Sequence, residues 1–463
     1  MIDMEKYFLG IDIGTSSVKL VMADKNNVVK KAKCEYESSG VNAWCNALKI
    51  ALNSLKKEIP LSLISAIGLS SQVGTYITDC GDVIEWSSPA GEKELREIKA
   101  VCSEDEFIKE IGMLHPDLIS YPLPRLLYIK RNYKNATTVL MPKEVMINEL
   151  TDNIVTDTFS QRGICNPLNN RYSERLLAKF NIDLRLPEII NPTDIAGYVT
   201  QRASELYGLP YGIPVYVGCN DFYAGLVGMG VLSSDTAFEL SGTSEHIGII
   251  TSKQAKGRNI SSKFFNGYVT YGGTKASGIS CDFAINNFGL DGLNEDFKIT
   301  NQPIFLPYLK GERAPIYNEN ARGVFFGISG ATTKQDMAYS ILEGVVFSLY
   351  HIAEHLPKSN FEKIITGGGS SFDSLMMKIK AEIFGCDIIH VKENDSSALG
   401  AAIIAMVGNK AFSTFNEAVL SVVSFDKIIK PNGDMREKLL KRYDIYKKLY
   451  LNLQNEFEDF SKI

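Results

Sequence analysis

Twice in this chain an apolar strand runs into a Gly-Thr-Ser turn. The first is Ile11-Asp12-Ile13-Gly14-Thr15-Ser16-Ser17; the second, more than two hundred residues later, is Glu239-Leu240-Ser241-Gly242-Thr243-Ser244-Glu245. Such a turn offers backbone N–H groups and hydroxyls, the donors a polyphosphate needs. Asp12, at the mouth of the first turn, is a carboxylate of the kind that holds a hydrated magnesium ion. One such turn also occurs in hairpins that bind nothing. Its recurrence is what constrains the fold: two halves built on related α/β cores, meeting near residues 230–240.

Composition narrows the rest. A chain of 463 residues has room for two to four domains, and 45% hydrophobic with 22% charged residues is ordinary for a folded soluble protein. The net charge of −5 comes without a long basic block, so neither nucleic acid nor a membrane surface is expected as a partner. Met1 to Lys6 lead straight into the first strand, which leaves no room for a signal peptide. No apolar run reaches the ~18 residues of a membrane span, and residues 398–408 read as a buried helix. The eight cysteines form no C-x-x-C pair, and no Glu sits at the metalloprotease position between His351 and His355, so core thiols in a reducing, cytoplasmic setting are expected.

Along the chain, strands are expected at 7–13, 18–23 and 28–34 as a meander, then a helix at 42–57 and a buried strand at 64–70. No G-x-G-x-x-G follows the first strand and no G-x-x-x-x-G-K-[ST] is present, which argues against Rossmann and P-loop folds. Residues 90–210 are irregular and punctuated by proline. A strand at 213–219 then ends in Asn220-Asp221, followed by a small-residue helix. The domains are expected at 1–235 and 236–463.

Several side chains suit chemistry. Asp221 stands where an apolar strand ends, as a base for an acceptor hydroxyl would, or as an N-cap for the next helix. Gly367-Gly368-Gly369 lets backbone approach a flat ligand, or simply turns a strand into a helix. Lys19 either neutralises phosphate or is a solvated strand lysine. Gln72, in Ser70-Ser71-Gln72-Val73-Gly74, carries an amide that suits a polyol, or is a satisfied surface residue. Arg313 either reaches phosphate or forms a structural ion pair.

Taken together, these motifs resemble the FGGY carbohydrate kinases of the actin, hexokinase and heat-shock-chaperone ATPase superfamily. Residues 10–17 look like that family's first phosphate motif, Gly242-Thr243-Ser244 like its second, and residues 364–371 like its adenosine motif. Residues 305–315 and 320–327 resemble a family signature, closest to the xylulokinase branch. The resemblance implies two ribonuclease-H-like (actin-like ATPase) domains flanking a catalytic cleft, and ATP with Mg2+ as cofactors. It implies nucleotide contacts from Gly14, Thr15, Ser16, Ser17, Lys19, Gly242, Thr243, Gly278, Gly368, Gly369 and Asp373, a metal contact from Asp12, and Asp221 as catalytic base. Gln72, Val73, Gly74, Trp86, Asp221 and Phe222 match the sugar side. The chain departs from the family there: Val73-Gly74 replaces Met-His-Gly, and Trp86-Ser87-Ser88-Pro89 stands where Trp-Asn-Asp-x-Arg is usual. Trp86 is either a pocket wall or a core residue, and Gly278 a nucleotide-side or a loop glycine. A ketopentose is the first substrate expected, with gluconate, ribulose, glycerol or another polyol behind it, and a homodimer is a family-level expectation. A nucleotide-driven switch or chaperone, or a degenerate kinase acting as a binding module, are the alternatives.

Overall fold

The computed structural model describes residues 6–113, 118–166, 169–241, 245–255, 260–265, 267–289, 293, 298–299, 302–358, 360–368 and 374–463. It divides into two units. One comprises the chain up to Leu232 together with Asp395–Val423; the other comprises Ser233–Asn394 and Ser424–Ile463. The first division falls between Leu232 and Ser233. The expected 236–463 domain does not capture the return of 395–423 to the first unit, because composition marks a segment as buried without naming its partner.

In the first unit six strands form one sheet, in the spatial order Ile195–Tyr198, Pro214–Asn220, Ile64–Ser71, Tyr7–Ile13, Ser17–Ala23, Val28–Glu35. The last three are an antiparallel meander, while Tyr7–Ile13, Ile64–Ser71 and Pro214–Asn220 run parallel. Period-two alternation sends Leu9, Ile11 and Ile13 to one face. There they meet Trp44, Leu48, Leu52 and Leu55 of helix Val41–Lys56, each burial stabilising by ~1.5–3 kcal/mol.

The opposite face carries Gly10 and Gly68 for a steric reason. A Cβ on either would sit 1.8 Å from the Ala398 carbonyl oxygen or 1.9 Å from that of Ala401, so helix Ser396–Gly408 lies directly on the strands. Asp12 shares this face with Gly10. A separate small core of Tyr76, Ile98, Phe107, Leu123 and Leu126 organises the region between residues 76 and 184.

The second unit repeats the plan. Ala237–Ser241 pairs antiparallel with Glu245–Thr251 on one side and parallel with Lys363–Gly368 on the other; Asp387–Val391 and an antiparallel edge strand, Phe425–Ile429, complete that side. On the other side Glu245–Thr251 pairs with Gly267–Thr274, which in turn pairs with an additional edge strand, Ile260–Phe264. Helices Lys334–Ala353, Ser374–Phe384 and Arg436–Phe460 bury the apolar side, with Tyr308, Tyr443, Tyr446 and Tyr450 as its aromatic centre. All eight cysteines are free thiols; four are buried and Cys80 is exposed. No group of three metal-ligating side chains occurs among the described residues, and no described helix is long and apolar enough to cross a membrane.

Candidate active site

The first turn is held from beneath. Gly14 N–H donates to the Ser17 carbonyl (2.9 Å), Tyr36 N–H donates to the Ser16 carbonyl (2.9 Å), and the Tyr36 hydroxyl donates to the Gly14 carbonyl. Thr15 and Ser16 remain exposed, while Ser17 is buried at the start of its strand. Asp12 is buried and accepts from Ser70 Oγ at 3.0 Å. Burial raises its pKa, the Lys19 charge and the Ser70 hydrogen bond lower it, and Asp395 raises it. Lys19 is not a merely solvated lysine: its Nζ lies 3.3 Å from Asp395, which also meets Lys31 at 3.5 Å. Asp395 escaped the sequence reading because a polar turn before a helix announces only a boundary.

Gln72 joins the turn to the sugar-side segment. Its N–H donates to the Ile13 carbonyl (2.9 Å) and its Oε1 accepts from Thr15 Oγ1 (3.3 Å). Its Nε2 is buried without a hydrogen-bond partner among the described residues. A satisfied surface glutamine it is not: 3% of it is exposed.

Asp221 is delivered by a bulge. Against Ile64–Ser71 the register of Pro214–Asn220 shifts between Tyr216 and Cys219, at Gly218 with φ +66°. A Cβ there would lie 1.7 Å from the Leu69 carbonyl oxygen, so only glycine is accommodated. The capping role falls to Asn220, whose side chain accepts from Tyr223 N–H at 3.0 Å and donates to the Phe159 carbonyl at 2.7 Å. Asp221 opens helix Asp221–Gly228 as its first residue, so the N-cap reading does not hold. Its carboxylate accepts the Phe222 N–H (2.8 Å), and its carbonyl accepts from Ser397 Oγ (3.0 Å). Burial and the neighbouring Asp12 charge push its pKa up to about 7, against the lowering pull of the Phe222 N–H, Lys19 and Arg162.

Beside Asn220 opens a small pocket, lined among others by Val73, Gly74, Tyr76, Tyr121, Phe159 and Arg162. Val73 and Gly74, expected on the sugar side, both line this pocket. Trp86 and Phe222 are not among its lining residues. Trp86 is 43% exposed, so it is not a core residue either; Trp44 is. Its loop is held by the buried Arg125, whose Nη2 donates to the carbonyls of Glu85, Trp86 and Ser88 at 3.0, 3.1 and 2.9 Å. Phe222 packs edge-on against Tyr223, ring centroids 5.3 Å apart.

Sequence reasoning missed the segment 157–162. Asp157 accepts from Phe159 N–H (2.8 Å), from Ser160 N–H (3.1 Å) and from Ser160 Oγ (2.5 Å), and pairs with the buried Lys143 at 3.0 Å. This knot fixes the backbone that presents Phe159 and Arg162 to the pocket. The Thr156-Asp157-Thr158-Phe159-Ser160 run is rich in side chains that bond their own backbone, and that was the available signal.

In the second unit, Gly242 and Thr243, and Gly369 and Asp373, lie outside the described residues. Around them the frame is clear. Ser241 pairs with Gly368 across parallel strands, which sets the adenosine-motif glycine beside the start of the second turn. Gly278 lies in the first turn of helix Ser277–Phe288, so it is not a loop glycine. Glu312, buried, accepts from Thr274 Oγ1 (2.6 Å), Lys275 N–H (2.8 Å) and Arg313 N–H (2.6 Å), fixing the approach to that helix. Arg313 makes no ion pair among the described residues, and its Nε is buried without a hydrogen-bond partner there.

Comparison with known proteins agrees with this geometry. Residues 7–228 match the model for the N-terminal domain of the FGGY family of carbohydrate kinases, and residues 240–408 that for its C-terminal domain. The chain is similar to a xylulose kinase of Staphylococcus epidermidis, 26% identical with 96% of this chain and 97% of that one covered. It is also similar to a gluconokinase of Bacillus subtilis, at 25% identity and coverages of 98% and 97%. A crystal structure of ligand-bound xylulose kinase from Lactobacillus acidophilus superposes with a TM-score of 0.88 at 24% identity, covering 98% of this chain and 100% of that one, and shares the fold.

Proposed function

The chain belongs to the FGGY family of carbohydrate kinases and is an ATP-dependent sugar kinase, and from that premise we propose that Asp221 activates the acceptor hydroxyl of a five- or six-carbon sugar or sugar acid. The observation that carries this is the division of labour at 220–221. Asn220 caps the helix, and the Asp221 carboxylate is left beside Asp12 with a pKa near 7. A base so tuned holds the right protonation state near neutral pH while keeping its appetite for a proton.

In the proposed step the acceptor hydroxyl donates its proton to Asp221, and its oxygen attacks the γ-phosphorus of ATP. The bond from that phosphorus to the β–γ bridging oxygen breaks, and ADP departs with the electron pair. The proton then leaves Asp221 for solvent. The first turn supplies N–H groups and the hydroxyls of Thr15 and Ser16 to the phosphates. Gln72 and the pocket beyond it orient the acceptor. The Asp12 carboxylate and the Ser70 hydroxyl, with Lys19 beside them, are oxygen donors of the kind a hard cation takes; bound magnesium would neutralise phosphate charge there. Relatives named for xylulose and for gluconate support a ketopentose and an aldonate alike.

The test is ADP release against ketopentoses, aldonates, polyols and glycerol, with Asp221→Ala as control. One acceptor is expected to raise turnover strongly in the wild type, and the variant to lose about 10³-fold. Slow hydrolysis that ignores every acceptor and survives the substitution would overturn the reading and favour a nucleotide-driven switch.

A further inference from the structure

We propose that Arg162 makes this site selective for a carboxylate-bearing acceptor, an aldonate, over a neutral ketose or alditol of the same length. The inference rests on the kinase reading above and decides between the two acceptor classes that reading leaves.

Three observations converge. First, among the described residues lining the pocket, Arg162 is the charged one. It is placed with care: its guanidinium lies 5.3 Å from the Tyr121 ring centre and 5.8 Å from that of Tyr223, and Nη1 reaches the Tyr223 hydroxyl at 3.5 Å. Ring contacts engage the face of a guanidinium plane, whereas a carboxylate is recognised along its edge by paired N–H donors. The same Tyr223 ring stacks on Phe159 at 4.7 Å, and the Asp157–Lys143 knot fixes the Phe159 backbone, so the cation is mounted on a rigid support.

Second, the polar atoms left over around this pocket can both donate, an amide N–H and a phenol O–H, the latter able to accept as well. Gln72 Nε2, in the segment next to Val73 and Gly74, and the hydroxyl of the lining Tyr76 are buried without a hydrogen-bond partner among the described residues. Gln72 and Tyr76 are 3% and 2% exposed. A polyol hydroxyl asks for a donor and an acceptor in equal measure; a carboxylate asks for donors alone. Third, burial and the Asp12 charge raise the pKa of Asp221, while Lys19 and Arg162 pull it down. An anionic acceptor can approach Asp221 only where a cation offsets that field, and Arg162 acts on the same carboxylate.

The rival role for Arg162 is to tune Asp221 alone, and it predicts something different. The measurement is kcat/KM for an aldonate and for the alditol and ketose of equal carbon number, in wild type, Arg162→Gln and Arg162→Lys. The wild type is expected to favour the aldonate roughly a hundredfold. In Arg162→Gln the ratio of aldonate to neutral kcat/KM should fall by roughly that factor, and in Arg162→Lys, charged but without the fork, it should fall between. Equal loss for both classes, or a wild type that prefers the neutral acceptor, overturns the proposal and leaves the kinase reading intact. Calorimetric titration of the wild type with aldonate and with alditol, without nucleotide, covers the case in which the variants do not fold. Aldonate binding at least about tenfold tighter is expected there, and equal affinities refute selectivity. If instead no acceptor stimulates ADP release and Asp221→Ala changes nothing, it is the kinase reading that has failed.

Discussion

The turn after Ile13 and the turn after Ser241 are built on the same frame and carry different chemistry. Each follows the central strand of its sheet, and each returns along an antiparallel neighbour. Two residues before the turn glycine the first unit has Asp12, and the second has Leu240. The second unit puts its charge one residue earlier, facing inward. Buried Lys380 lies 3.1 Å from Glu239 and 3.0 Å from Glu245, with the hydroxyls of Ser241 and Thr366 donating into the same pair of carboxylates. The first unit thus leaves its carboxylate with one hydroxyl partner, Ser70, while the second commits its carboxylates to Lys380 and to hydroxyls of its own strands. The lesson is that a repeated fold need not repeat its chemistry, because one step along a strand moves a side chain to the other face.

The comparison breaks most readily at Asp12. Asp12→Ala is expected to lower kcat/KM by roughly 10²–10³-fold, the usual scale for losing one preorganised electrostatic group. It should leave stability unchanged or raised, since burial disfavours that charge in the free protein. Leu240→Ala, at the matching place, should act on thermal stability and not on turnover. Comparable losses of turnover from both would show that the two turns are chemically equivalent after all.

Lys380→Met tests the other side. Removing the cation leaves two buried carboxylates uncompensated, and unfolding free energy should drop by about 3–5 kcal/mol, read from urea denaturation. An unchanged transition would mean that the ion network is ornamental and the second turn stands by other means.

Activity and stability should answer to pH in opposite ways. Asp221 rests near pH 7, so kcat/KM rises as pH climbs through about 7 and the base form accumulates. Glu245 is likewise raised, to about 7 from its ordinary 4.5, chiefly by burial, against the pull of Lys380. A carboxyl whose folded pKa exceeds its unfolded one binds more protons when folded. Its contribution is therefore complete below pH 4.5 and is lost as pH rises through 7. Stability should fall across the same interval in which activity rises. Glu245→Gln should flatten the stability slope and leave the activity limb in place; if both move together, one group governs both.

How much of this was legible in the sequence follows from what each signal measures. Apolar runs bounded by polar turns located Tyr7–Ile13, Ile64–Ser71 and Pro214–Asn220 to within a residue or so, because burial on both faces of a sheet writes itself into composition. The first turn and Gln72 were legible for a related reason: they are the short polar interruptions that follow such runs. Arg162 and Asp395 were not. Each sits in an ordinary polar stretch, and its meaning comes from a partner far away in sequence, Tyr121 and Tyr223 for one and Lys19 for the other. Helix Ser396–Gly408 was readable as buried, but its contact with Gly10 and Gly68 was a property of glycines in strands far earlier in the chain.

The smallest effect expected is at Trp86, and it sharpens which walls of the first unit belong to the chemistry. A tryptophan beside a sugar-side segment invites a stacking role. Here the ring is largely in solvent, outside the residues lining the pocket, and it is the main chain of its loop that is fixed, through the Arg125 contacts and a Trp86 N–H donated to Thr75 Oγ1 at 3.1 Å. Trp86→Ala keeps those backbone bonds. Acceptor KM and kcat should both stay within about twofold, the range of a surface substitution away from a buried feature. A tenfold rise in KM for the true acceptor would place the Trp86 ring over the bound substrate and extend the site to the 86–88 loop.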